Sequence, residues 1–333
     1  MALYASSTQR KHWLLSADTI SSTRQSLNDN VPPSLDPINN PYPKLTLEDE
    51  ELLRLHFESI IIGTLNKSSL GLPNLNQVTA TALIYFKRVY LQCSIMDRIP
   101  LDVIPAVIFL ALKVEEVKMN VDDFSRIFHY RREMVLEFEF AIMSLIKHHL
   151  LVHLPFRSLS GFLAEFVELK FLNQDDVESV ELGATKILHK MCFGDVLLMF
   201  TPSQIALSSI RMVVGNEVVD KFLVSRRLQA ELFSSKIFDK IDKIVRHNMG
   251  LVQTLSTDLV GTLMQKLIKC RNPWFDRESE MYKEGLKKLQ QQRFEMEQKR
   301  ALEVKSKIQS DYESLMGIPH SGVIDVVAFD DSP

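Results

Sequence analysis

Lys113 and Glu139 are the residues whose chemistry packing alone explains least. The lysine closes a very apolar segment, Ile99 to Val114, and Glu115 and Glu116 follow at once. Twenty-three residues past Glu116, Glu139 interrupts a second apolar segment, Met134 to Ile146. One misplaced charge in each of two buried-looking helices suggests a lysine–glutamate pair. On facing helices the two would hold each other in place and could reach the polar backbone of a partner element. The alternative for Lys113 is to lay its stem along the core and leave its ammonium in water, since lysine is rarely fully buried. Glu139 alternates with Glu137, and one of the two suits a solvated face.

Other reactive residue types offer less. His148, His149 and His153 cluster, and His149 and His153 are four apart, as on one helix face that could hold zinc. The sequence has no HExxH motif and no third ligand at a recognisable spacing, so polar capping at a helix end is the plainer reading. No serine sits in a GxSxG setting, and the eleven glycines form no phosphate-cradling cluster. Glu115-Glu116 and Asp175-Asp176 read as helix-end charges. Trp13, in a polar N-terminal arm, is either a docking anchor of the kind enriched at interfaces or a core residue. Nothing here demands an enzyme, a cofactor or a catalytic metal.

The elements that must position these residues are helices. The chain has 333 residues, with 46% hydrophobic and 24% charged content, as in ordinary globular proteins. At about 100–200 residues per domain, that length suggests two domains with extensions. Thirty-nine basic against forty-two acidic residues leave a net charge of −3, which argues against a general nucleic-acid binder. Cys93, Cys192 and Cys270 are far apart and read as reduced thiols of a nuclear or cytoplasmic protein. Met1 to Leu15 lacks the apolar core of a secretory signal. The apolar runs fall short of the roughly 20 residues a bilayer requires.

Apolar residues recur at helical spacing nearly throughout, with Gly and Pro between the periodic segments. The pattern predicts helices over Ser16–Asn28 with Ser16 as N-cap, Thr46–Leu65 with three acids in its first turn, Asn76–Cys93, Pro100–Val117, Val121–Phe128 and Tyr130–His149. Val31 to Pro43 reads as a proline-rich linker and Asn66 to Leu75 as a loop. Leu154-Pro155-Phe156 breaks the pattern, and a second cycle follows: Leu159–Phe171, Gln174–Phe193, a helix capped by Thr201-Pro202-Ser203-Gln204 and running to Val214, Glu217–Leu223 and Leu228–His247. Met264–Cys270 looks helical. Glu278 to Met316 reads as a long solvated helix with a thin stripe of Leu286, Leu289, Phe294, Met296 and Leu302. Gly317 to Pro333 is expected to be mobile.

Four stretches carry a family resemblance. They are Ser7 to Trp13, Tyr85 to Leu91, Phe109 to Glu116, and the pair Leu151–Arg157 and Thr201–Leu207. In this order and spacing they resemble the cyclin family and, within it, the cyclin H group. The resemblance implies an all-α fold of two tandem five-helix cyclin boxes, 46–153 and 154–253, after an N-terminal arm, short helix and linker (1–45) and before C-terminal helices and a tail (254–333). It implies a nuclear regulatory subunit without catalysis of its own. Its partner would be the cyclin-dependent kinase of the CDK-activating complex, with a RING-finger assembly factor as third member and the core of general transcription factor IIH beyond. That kinase phosphorylates the activation loops of other cyclin-dependent kinases and the C-terminal repeats of RNA polymerase II. By the same resemblance Lys113, Glu116, Glu139, Met143 and Leu150 face the kinase, Met143 and Leu150 from the same helix as Glu139. Direct nucleic-acid or membrane binding is not implied. His148 stands where many cyclins carry an aromatic, and the Thr46–Leu65 helix lacks the Met-Arg-x-x-Leu patch of substrate-recruiting cyclins. Other readings are a C- or T-type transcriptional cyclin, a cyclin-fold adaptor that binds DNA and polymerase through basic surfaces, and a helical enzyme with an unrecognised site.

Overall fold

The computed structural model of the chain describes residues 3–32, 44–67, 71–226, 233–276 and 279–316. Most of the expected Val31–Pro43 linker, part of the Asn66–Leu75 loop, the start of the Leu228 helix and the tail from Gly317, Ser332-Pro333 included, lie outside them. The described residues are helical and contain no strand. A single 3-10 turn at Tyr4–Ser6 leads into α1 (Thr8–His12) and α2 (Ala17–Asn30). A first group follows: α3 (Leu47–Lys67), α4 (Leu75–Val89), α5 (Pro100–Val114), α6 (Val121–Phe128) and α7 (Arg132–Leu145). A second comprises α8 (Pro155–Glu168), α9 (Val177–Met191), the single turn α10 (Val196–Met199), α11 (Pro202–Val214), α12 (Asn216–Ser225) and α13 (Ser235–Thr254). α14 (Thr257–Lys269) packs back on α3. α15 (Glu280–Met316) belongs to a separate unit beginning at Asp276, and its Leu286, Phe294, Met296 and Leu302 are exposed.

Each group is built round a helix that is buried on nearly every side, almost wholly apolar in α5 and carrying several buried polar residues in α11. In the first it is α5, buried from Val103 to Leu112 against α3, α4 and α7. In the second it is α11, buried from Gln204 to Arg211 against α8, α9, α12 and α13. Some helix starts are fixed by side-chain caps. Ser16 Oγ accepts from Thr19 N at 3.1 Å. Thr201 and Gln204 form a full capping box, the kind of cap that contributes about 1 kcal/mol.

Helix ends differ from the expectation. The helix expected over Tyr130–His149 stops at Leu145, because Lys147 and His148 turn left-handed with φ of 57° and 56°. Lys147 N then donates to Ser144 O (3.0 Å) and His148 N to Met143 O (2.8 Å), closing the last turn as a Schellman motif. Glu116, φ 59°, ends α5 in the same way: its N–H donates to Lys113 O at 3.2 Å and that of Val117 to Leu112 O at 2.9 Å. Pro155 opens α8 rather than merely breaking the pattern, since its missing N–H costs nothing at a first helical position.

Buried charges join the two groups. Glu58 on α3 and Lys87 on α4, both nearly inaccessible, meet at 2.8 Å. Lys87 Nζ also donates to Cys192 O (2.8 Å), and Glu58 Oε2 accepts from Gly194 N (2.8 Å), so this pair grips the backbone between α9 and α10. Asn248 of α13 holds the same loop through Phe193 O at 3.0 Å. Arg24 of α2 forks onto Asp195 at 2.6 and 2.7 Å. Burial opposes the charge of Asp195, but Arg24 outweighs it and holds the carboxyl below its ordinary range.

Candidate partner-binding surface

Lys113 stands in the last turn of α5, where a cation suits the negative end of the helix dipole. Its Nζ lies 2.6 Å from Glu139 Oε1 and 4.4 Å from the centroid of Phe109. The side chains are 46% and 12% exposed, respectively. The predicted pair therefore exists, and it sits at an edge: Lys113 keeps donor capacity toward solvent, while the glutamate is largely covered. Met143 is partly buried one turn along α7, and Glu116 is exposed beside the α5 terminus. Leu150 is not on α7 as expected. It follows the left-handed turn, where Tyr85 of α4 fixes it by donating to its carbonyl at 2.6 Å. His148 is exposed within that turn.

Sequence reasoning missed two residues of this surface. Leu136 is 43% and Phe140 68% exposed, although both stand in an apolar run that reads as core. With Glu139 and Met143 they occupy positions i, i+3, i+4 and i+7, a single helix face. The inward side of α7 is already supplied by Val135, Phe138 and Ile142. The signal was the surplus itself: α7 has more apolar residues than one buried face uses.

Trp13 is a docking residue, but it docks inward. It is 3% exposed, and its Nε1 donates to His149 Nδ1 at 3.0 Å. The Arg88 guanidinium lies over its ring at 5.0 Å and donates from Nη1 to His149 O at 2.6 Å. Gln9 brackets the His153 backbone, donating to its carbonyl at 3.2 Å and accepting from its N–H at 2.6 Å. The arm is thus pinned to the segment joining the two helical groups, and Trp13 is unavailable to a partner. These contacts also decide the histidines. His149 Nδ1 is an acceptor for Trp13, and no group of three potential metal ligands exists among the described residues.

Comparison with known proteins places the chain. Residues 154–269 match the family model for the cyclin C-terminal domain. Cyclin-H of Xenopus laevis is 30% identical over 224 residues, spanning 62% of this chain and 67% of that one. The chain belongs to the cyclin family, in its cyclin H branch. The fold of this cyclin is shared with a chain of the CAK complex of Chaetomium thermophilum bound to ATP-γ-S, at 22% identity and a TM-score of 0.69 over 87% of this chain and 94% of that one. It is shared too with a chain of the yeast TFIIK (Kin28/Ccl1/Tfb3) complex, at 24% identity and a TM-score of 0.62 over 73% of this chain and all of the other.

Proposed function

We propose that this cyclin binds and activates the cyclin-dependent kinase of a CDK-activating complex, and that it acts in transcription initiation within general transcription factor IIH. One observation carries the reading: Lys113, about half exposed, and its largely covered partner Glu139 border an apolar face of exposed Leu136 and Phe140 and partly buried Met143. Such a face, flanked by a charge able to hydrogen-bond backbone, suits the mobile C helix of a kinase small lobe. A kinase is active only when that helix brings its glutamate to the strand lysine. A subunit that binds only the inward position shifts the population toward activity. Lys113, Glu116 and Glu139 then meet polar backbone, and Met143 and Leu150 supply apolar contact.

In this reading 46–153 and 154–253 are two cyclin boxes, the chain is a regulatory subunit with no catalysis of its own, and its place is the nucleus. A RING-finger assembly factor is the third member of the complex, and the core of transcription factor IIH is its wider setting. The test is a pull-down of the purified chain against a panel of cyclin-dependent kinases. Each captured kinase is then assayed on a polymerase repeat peptide and on a kinase activation-loop substrate. One kinase captured, with activity on both, is the expected result. Activity on the polymerase peptide alone, through a different kinase, would move the assignment to another transcriptional cyclin. No capture would overturn the kinase reading and make DNA binding the next assay.

A further inference from the structure

The outer face of α13 carries positive charge that the rest of the fold leaves uncompensated. The helix buries Phe238, Ile241, Val245 and Asn248. Lys236, Lys240 and Lys243 stand on the opposite side at i, i+4 and i+7, all exposed. At the rise of an α-helix they form a straight line about 10 Å long. Among the described residues, none of the three forms a salt bridge or a side-chain hydrogen bond. The acids beside them are already engaged. Asp239 Oδ1 accepts from Arg211 Nη1 at 2.9 Å, and Asp242 lies 4.0 Å from Arg246. Counting Arg211 and Arg246, five cations meet two carboxylates, an excess of three in a chain whose net charge is −3. At the start of the helix Ser235 Oγ donates to Asp220 of α12 at 3.5 Å, and Lys221 stands next to that acid.

This is not how the chain builds a solvated helix. Like charges at i, i+4 destabilise a helix, and a glutamate four residues before a lysine stabilises it. α15, exposed along most of its described length, has Glu284 before Lys288, Glu295 before Lys299 and Glu303 before Lys307. In α13 lysine follows lysine instead. Asp239, four residues before Lys243, is drawn away to Arg211. A line of charge that opposes its own helix is explained by a ligand of opposite charge. The line also sets the shape of that ligand. A helix laid alongside presents side chains at the same i, i+4, i+7 interval, one carboxylate to each lysine. An extended strand repeats on one side about every 6.6 Å and is out of step by about 3 Å at the third contact. Nucleic acid is the poorer fit, because so few phosphate contacts give only weak binding. The acidic remainder of the chain also opposes a polyanion.

We propose that the outer face of α13 docks an acidic helix of a protein partner, with Lys236, Lys240 and Lys243 each meeting a carboxylate and Arg246 at the flank. The inference does not rest on the kinase reading, and it is tested on the full chain without a kinase.

The probe is a labelled helical peptide of about 20 residues, with glutamates at i, i+4, i+7 and i+11, followed by fluorescence anisotropy at low ionic strength. The comparators are a peptide of the same composition with its glutamates scattered round the helix, and one with glutamine in their place. The aligned peptide should bind about fivefold more tightly than either and should weaken as salt rises. Lys240→Glu with Lys243→Glu should weaken it about tenfold or more without lowering the thermal midpoint, since both side chains are exposed. Lys240→Gln should weaken it about twofold and serves if the double variant loses its fold. Lys288→Glu with Lys299→Glu on α15 changes the net charge equally and should leave binding as it was. Equal affinity for aligned and scattered peptides, full affinity in the α13 variants, or an equal loss in the α15 variant overturns the proposal. So does tighter binding of duplex DNA or of phosphatidylserine vesicles than of the aligned peptide, which would assign the face to nucleic acid or to a membrane surface.

Discussion

Lys113 is half exposed while Glu139 is mostly covered, so the pair is worth little to the folded chain and much to a ligand that dries it. Lys113→Ala should change the unfolding free energy by less than about 1 kcal/mol, the usual worth of an exposed pair. It should cost about 2–5 kcal/mol in kinase binding, because Glu139 is left unpaired in the complex. Titration calorimetry against the captured kinase, beside urea unfolding of the free chain, separates the two. Equal losses in both would make the pair structural. Phe140→Asp is the sharper probe: an exposed side chain can be replaced at almost no cost to the fold, yet a buried carboxylate in the complex should abolish capture. The charges were legible in the sequence because each interrupts an apolar run. Leu136 and Phe140 were not, because in such a run exposed and buried apolar residues look alike. The cysteines are a residue-scale matter too. Burial pushes the Cys93 and Cys192 thiols up to about 12. Neither should react with a thiol reagent near pH 8 until denaturant exposes them, and rapid labelling of native Cys192 would mean that the loop beside it opens.

At the scale of elements, the helix starts capped by Ser16, Thr46 and Thr201 were readable, while those of α8 and α14 and several helix ends were not. Ser16, Thr46 and Thr201 are capping residues whose chemistry is written in their type. Glu116, His129, Lys147 and Lys170 sit at the left-handed positions where glycine is the ordinary signal, so the helices expected to run on to Val117, His149 and Phe171 stop short. Gly194 is the opposite case. Its φ is +64°, and a Cβ there would lie 2.2 Å from Asn248 Nδ2. Gly194→Ala must therefore strain the loop and drive Asn248 off Phe193 O. A loss of about 2–4 kcal/mol in urea unfolding is expected from the strain and the broken hydrogen bond together. A midpoint equal to that of the parent would show that Asn248 can swing aside and that the loop is not held through it.

Over the whole molecule, composition and periodicity announced the all-helical class and the alternation of two helical cycles. They did not announce which distant parts meet. Arg24 with Asp195, Lys87 with Cys192 O and Trp13 with His149 are pairings between residues 171, 105 and 136 apart, and no local pattern encodes them. The same burial sets the response to acid. His56, His149, His153 and His189 are all lowered, chiefly by desolvation. Below their ordinary value the unfolded chain binds more protons than the native one, so stability is complete above about pH 6.5 and falls as the pH drops below it. Burial raises Glu58 and Asp242, which works the other way but involves fewer groups. Urea midpoints should therefore be lower near pH 5.5 than near pH 7.5, and a higher midpoint at the acid end would contradict the histidine environments described. The pinned arm also has a consequence in time. The distant hydrogen-bond partners of Gln9, Trp13 and Leu15 are His153, His149 and Leu198. On a ribosome adding about 5–20 residues per second, this segment must wait on the order of ten seconds or longer for the surface that receives it. Until then Trp13 lacks the His149 surface that buries it, so this arm docks only after the segment joining the two helical groups has been made.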